Sequence, residues 1–568
     1  MKFRPLALFA LTAGLAVLVG DFTSIDAQEK AIKKSKKKIE APETPTPAAP
    51  VAKPEVVKPV APPVINVATP KAKDAAALAK VIDAEITKKL ATAKLTASAL
   101  SSDEEFLRRV SLDITGVIPS AEKAKAFIDD KSPDKRAKLI DELLADPRFG
   151  RRMADIWTAK LFPKDSGNRF VLKDPLYKWL EEEFNKNPGW DKFTTSMVSA
   201  TGTVAENGAV TYFIANRSVD KLTDTTAQHF LGIQLQCAQC HNHPFTSWKQ
   251  TEYWGMAAFY GKVKADNPKN ANKGGDNTTI GVTEGPRQTK QKDFFPESAK
   301  TVPVKFLGGE SPSLGAAEPY RPALAKWMTS PQNPFFAKAL VNRTWAHLFG
   351  RGFVNPVDDM LPENSPTHPD LLAALAHHVS TTGEFDLKYL MKAICLSDTY
   401  QRTSKPTADN KNDKALYSHV AVKVLSPEQL YDSLAQVTGN SRVMDAKGAK
   451  GAANPKGGRI GGRDQFVNFF LAGADSTSAL DYEAGIPQAL KLMNSPIANN
   501  PAAVRAVTGN TSKPEDVIER IYLAALSRRP TADELKSLTA YATKTGAQTA
   551  YGDILWAVLN SSEFTLVR

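Results

Sequence analysis

The chain has 568 residues, 42% hydrophobic and 24% charged; this allows a large core and excludes a disordered chain, a collagen or a polytopic membrane protein. Its three cysteines exclude a disulfide-stapled scaffold. The formal charge of +12 is uneven, with +5 in residues 1–75 and +7 in the rest, too diffuse for a nucleic-acid-binding stripe.

Lys2 and Arg4 precede the uncharged, mostly apolar run Pro5–Gly20. This is the pattern of a secretory signal, with a cleavage point at Ala27, so export to the periplasm, the cell envelope or the outside is expected. The run has 16 residues, short of the ~20 that span a bilayer as a helix; a retained N-terminal anchor remains the alternative. No other integral membrane segment is expected. Lys33, Lys34, Lys36, Lys37 and Lys38 read as a solvated charge run. Nine prolines between residues 41 and 70 make a semi-rigid extended spacer. Residues 1–27 are thus read as a signal peptide and 28–74 as a disordered, basic, Pro-rich spacer, with order beginning near Lys71.

From residue 75 the dominant pattern is helical. Ser102 with Glu105, Ser426-Pro427-Glu428-Gln429, and Thr531 with Glu534 are capping signals. The periodicity predicts helices near 75–98, 103–112, 120–129, 134–145, 174–186, 220–236, 249–260, 320–329, 334–349, 369–380, 386–396, 427–437, 485–493, 514–527, 532–544 and 550–560. Val302–Leu307 and Arg459–Phe470 are the strand candidates. Residues 265–300 and 446–464 read as loops, and the second has no phosphate-cradle motif. The expected fold class is mainly α. A helical domain over 75–264 carries the motif below, 265–318 is a loop-rich connector, and 319–568 forms a helical C-terminal domain.

The chemistry concentrates in Cys237-Ala-Gln-Cys240-His241-Asn-His243. Cys-x-x-Cys-His reads as a c-type haem attachment site, with Cys237, Cys240 and His241 binding the cofactor. Thiols three residues apart can reach both porphyrin vinyl groups, and the adjacent imidazole becomes an axial iron ligand. Zinc or non-haem iron is the alternative, with His241 and His243 as nitrogen donors. A zinc site needs a second ligand pair, and the remaining cysteine, Cys395, lies in an apolar helix. A plain disulfide also stays open. Met256, His347 and His229 are further ligand candidates, each weighed against an ordinary packing role. Trp248, Tyr253, Trp254, Phe259 and Tyr260 could wall a porphyrin or form helix core.

Longer segments carry a family resemblance. Phe106-Leu-Arg-Arg-Val-Ser-Leu-Asp113, Leu144-Ala-Asp-Pro-Arg-Phe149 and Phe230–Phe245 resemble the first domain of the planctomycete-specific cytochrome-like proteins. Asn333–Gly352, Ser365–Leu372, Leu425–Leu430 and Tyr522–Arg528 resemble the second. The resemblance implies an exported, mainly helical protein with haem c, and no defined reaction. It also implies a possible exported sulfatase-like partner protein. Residues 470–485 lack the cysteine that some relatives carry, and Cys395 stands where relatives have Leu. Arg343, Trp345, His347 and His368 fall on motif positions of the second domain and form a second candidate patch.

Two functional readings follow. One is an exported c-type haem protein with an electron-transfer or redox role at the cell envelope; as an enzyme it would be a haem-dependent oxidoreductase. The other is a zinc- or iron-binding or structural envelope scaffold without covalent haem. Paired carboxylates or a Ser-His-Asp motif for hydrolysis are not evident.

Overall fold

In a computed structural model, apolar residues at helical spacing form a succession of helices, and serine, threonine and aspartate side chains start many of them. The structure describes residues 65–163, 173–244, 246–266, 279–285, 302–361, 363–439, 462–471, 486–494, 501–509 and 511–568. The expected signal and residues 28–64 of the expected spacer lie outside these, as do most of the two expected loops; order is described from residue 65, ahead of Lys71, with Val67 buried and Asn66 donating to Asp370.

The first part contains α1 (Ala75–Ala93), α2 (Asp103–Thr115), α3 (Ala121–Asp129), α4 (Lys135–Ala145), α5 (Arg148–Leu161), α6 (Asp174–Lys186), α7 (Trp190–Val198), α8 (Val210–Asn216), α9 (Val219–Thr226) and α10 (Gln250–Ala257). The second contains α11 (Arg321–Met328), α12 (Phe336–Phe349), α13 (Pro369–Ser380), α14 (Leu387–Leu396), α15 (Asp398–Gln401), α16 (Pro427–Val437), α17 (Gly462–Leu471), α18 (Ile486–Met493) and α19 (Pro501–Thr508). It closes with α20 (Pro514–Leu526), α21 (Ala532–Thr545), α22 (Ala547–Leu559) and α23 (Ser562–Thr565). The protein is mainly α, as its periodicity predicts.

Capping explains where the helices begin. The Ser102 hydroxyl accepts from the Glu105 N–H, and complete capping boxes start α16 at Ser426/Gln429 and α21 at Thr531/Glu534. Each such cap stabilises its helix by about 1 kcal/mol. Gly116 ends α2 at φ +76°, with the Arg152 side chain 2.8 Å from where a β-carbon would sit. Only glycine fits both demands.

Strands are short. β1 (Gly202–Thr203), β3 (Gly281–Glu284) and β2 (Val263–Ala265) form an antiparallel sheet with β3 central, in register Gly202↔Val282 and Val263↔Glu284. β4 (Lys423–Val424) pairs with β5 (Leu566–Val567). Residues 302–307 run without strand pairing. The other strand candidate, Arg459–Phe470, is helical over its described residues 462–470, which wind into α17, and Phe466 and Phe470 stack at 4.2 Å. Their spacing of four places both rings on one helix face, against Tyr431.

The core joins the two parts. α1 packs on α14, α3 on α20, and α4 on α14, while α5 and α6 pair with each other. By internal contacts, Pro59–Arg568 is one compact unit. α2 lies in this core and carries buried charge. The Asp113 carboxylate takes Lys423 Nζ at 2.6 Å and the Tyr400 hydroxyl at 2.8 Å. Lys423 also donates to the Leu348 carbonyl at the end of α12. Arg109 donates to the carbonyls of Tyr400, Arg402 and Arg568, and to Glu105. Arg108 donates to the carbonyls of Ala525 and Phe564.

Removing one member of a buried ion pair costs more than removing both. Lys423→Met is expected to destabilise the protein by about 3–5 kcal/mol in urea unfolding. The double variant Asp113→Asn/Lys423→Met should be more stable than the sum of the two single effects. Strict additivity would show that the pair is not coupled.

The candidate motif turn and its interdomain support

The segment before the motif does not form the single helix expected over 220–236. α9 continues as one π-helical turn, Ala227–Leu231, and ends at Gly232 with φ +70°. Ile233 and Leu235 are buried, and Gln236–Gln239 form a 3₁₀ turn. Short π segments recur at functional sites. Ala238, small and fully buried, anchors the turn, while Cys237 and Cys240 are exposed free thiols.

α10 holds this turn by two of its side chains, Gln250 and Trp254, and by its first N–H. Trp254 Nε1 donates to the Gln239 carbonyl at 3.1 Å. Gln250 Nε2 donates to the carbonyls of Gln239 and Cys240 at 3.1 and 2.9 Å. The Gln250 N–H donates to Asn242 Oδ1 at 3.0 Å, and the His243 N–H donates to the Trp248 carbonyl at 2.8 Å. At the start of the same helix, Glu252 accepts from the Lys249 N–H. His241 is exposed, and its Nδ1 lies 2.7 Å from the Asn242 carbonyl. A carbonyl only accepts, so Nδ1 carries the proton and Nε2 presents a lone pair.

The other ligand candidates sit elsewhere. Met256 is fully buried in the core. His347 donates from Nε2 to the Asp113 carbonyl at 2.8 Å. Tyr253, Trp254, Phe259 and Tyr260 are core residues, whereas Trp248 is half-buried. Among the described residues no group of three or more His, Cys, Asp or Glu side chains gathers as a metal site. Nor is any helix among them long and apolar enough to cross a membrane.

The second candidate patch divides. Trp345 and His368 are core residues. Arg343 lies against the π turn, donating to the carbonyls of Gln228 and His229 at 3.4 Å each and pairing with Asp358. Its guanidinium covers the Trp157 ring at 5.4 Å. His229 Nδ1 is 3.5 Å from Asp358 Oδ2. Burial would push the Asp358 carboxyl up, but Arg343 and His229 hold it well below the usual carboxylate range. Nothing in the sequence around Asp358 marks it as a partner, because a carboxylate in a loop is normally solvated.

With this geometry described, the comparisons with known proteins add a class. Residues 81–265 match the family described as PSCyt2, protein of unknown function (DUF1549). Residues 320–458 match PSD1, protein of unknown function (DUF1553). The chain therefore carries two paired domains of unknown function. No curated protein and no solved structure matches it. The motif turn lies in the first domain, and the Arg343–Asp358 pair that supports it lies in the second.

Burial holds three histidines neutral. His229, His347 and His368 are each pushed down to about 4, burial being the largest cause. Unfolding at pH 4–6.5 therefore takes up protons at these sites, and stability falls as pH drops through that window. Asp224 opposes this, since burial raises its carboxyl to about 6. The three histidines outnumber this one carboxyl, so lower stability is expected at pH 5 than at pH 7. Urea unfolding at pH 7, 6 and 5 measures it, and a flat profile would contradict the neutral assignment.

Proposed function

We propose that the protein is an exported redox protein that carries a covalent c-type haem on the Cys237–His241 turn. The His241 tautomer carries this reading. Metal-ligating histidines almost always tie one ring nitrogen to an oxygen acceptor and ligate through the other. His241 has this arrangement, with Nδ1 on the Asn242 carbonyl and Nε2 unencumbered. The two thiols beside it are exposed and unpaired.

Cys237 and Cys240 would hold the porphyrin by thioethers, and His241 would ligate the iron. The group supplies one-electron chemistry when bound. The chain's own contribution is to fix the turn. Gln250 and Trp254 clamp its carbonyls, and buried Ala238 keeps both cysteines facing outward. The signal-like pattern of Lys2, Arg4 and Pro5–Gly20 supports the reading, because this attachment is made outside the cytoplasm. The exported sulfatase-like partner implied by the resemblance belongs to the same proposal. A zinc or non-haem iron site would have to recruit donors beyond the turn.

Expression with a cytochrome c maturation system tests it. A pyridine-haemochrome spectrum is expected to show covalent haem in the wild type and none in Cys237→Ser/Cys240→Ser. His241→Met should keep the attachment and shift the Soret band. Denaturation-resistant haem absent from the wild type, with zinc found by elemental analysis, would replace this reading with the metal-bound scaffold.

A further inference from the structure

The loop between α12 and α13 brings one sulfur atom to the segment that leads into the motif. The loop is closed by the Thr367 N–H on the Phe353 carbonyl at 2.9 Å, and Asn364 Nδ2 donates to the Asp359 carbonyl at 2.9 Å. Asp358 ties it to Arg343, and the Met360 N–H donates to the Gly232 carbonyl at 2.8 Å. The Met360 side chain lies along Gly232. A β-carbon there would stand 3.2 Å from both Cγ and Sδ of Met360, and 3.4 Å from Ala339 Cβ. With φ at +70°, Gly232 meets two demands at once. It ends the π turn and leaves room for the thioether.

Exposure sets Met360 apart. Met153, Met197, Met256, Met328 and Met391 are buried in the core. Met493 is exposed, but it sits on α18, where its carbonyl takes the Trp556 indole N–H. Among the described methionines, Met360 alone is half-buried and bonded to the approach to the motif. Cys237 comes five positions after Gly232, a span of at most about 17 Å. Along it Ile233 and Leu235 are buried, whereas Gln234 and Gln236 are exposed. That open strip gives a flat ring attached at the thiols a surface to lie on. The histidines outside the motif that were ligand candidates are engaged elsewhere. His347 Nε2 bonds the Asp113 carbonyl, and His229 faces Asp358 with its side chain only 11% exposed.

We propose that Met360 supplies the second axial ligand of the haem, opposite His241. The assignment rests on the covalent haem proposed for the Cys237–His241 turn. Thioether sulfur is a soft ligand, and paired with histidine it raises the reduction potential of haem iron. The three rotatable bonds of methionine let Sδ swing away from Gly232 while the backbone stays pinned. The ligand set then comes from both domains, His241 from the first and Met360 from the second. A site filled in this way carries electrons and offers no open iron position to a substrate.

Proton–carbon spectra of the haem-loaded, reduced full chain, labelled at the methionine methyls, test the proposal. One methyl resonance is expected far upfield, where the ring current over an iron-bound thioether places it. It should be lost in Met360→Leu and kept in Met256→Leu and Met493→Leu. Reduced Met360→Leu is also expected to bind carbon monoxide promptly, whereas the wild type resists it. Covalent haem in the wild type without a shifted methionine methyl overturns the proposal and leaves the haem reading standing, with His229 or an open position in place of Met360. A shifted methyl that survives in folded Met360→Leu, or prompt carbon monoxide binding by the wild type, overturns it as well. A wild type without covalent haem overturns both this proposal and the one it rests on. If Met360→Leu does not fold, the wild-type methyl is assigned through its nuclear Overhauser contact with the Gly232 α-protons, and the wild type alone decides.

Discussion

The structure is organised around the buried charge of one helix. α2 places Arg108, Arg109 and Asp113 in an interior that would otherwise be aliphatic and aromatic. None of these charges could stay there unpaired, since an isolated buried ion costs several kcal/mol even after relaxation. Apart from Glu105, which pairs with Arg109 on the same helix, their partners come from residues 400–423 and 525–568, hundreds of positions away in sequence. The hydrophobic core supplies most of the driving force, but it is non-directional. The charges add direction by allowing only one relative placement of the segments that satisfy them.

The candidate site depends on the same placement. The motif turn contributes little apolar surface of its own, and it is held from two sides. α10 clamps it through carbonyls, and the second domain steadies the preceding π turn through Arg343, Asp358 and Met360. The exposed thiols and imidazole therefore stand on a fixed base. Such a base suits a cofactor whose attachment and ligation need three groups in a set relation.

The local features were legible in the sequence. Caps at Ser102, Ser426 and Thr531 gave helix starts that the structure reproduces. α5 was missed because it follows Pro147 without a capping side chain and contains Gly150. α17 was read as a strand because Phe and Val favour strands in isolation, whereas the spacing of Phe466 and Phe470 was the better guide. The motif itself was plain. Its clamps were not, since nothing local marks Gln250 and Trp254 as partners of residues 239 and 240. The buried charges were also overlooked, because charged residues are normally at the surface. Their spacing at 105, 109 and 113, on one helical face with apolar neighbours, was the available signal.

The Asp113–Lys423 pair has a further consequence. Asp113 lies in the first matched domain and Lys423 in the second. The two stretches are separable as family modules, yet neither can complete its own interior. Isolated, the first would lose the Lys423 and Tyr400 partners of its Asp113 carboxylate, and the second would carry a lysine whose socket is missing. The chain is therefore modular in descent but not in assembly. A substitution on one side of this seam constrains what the other side can accept.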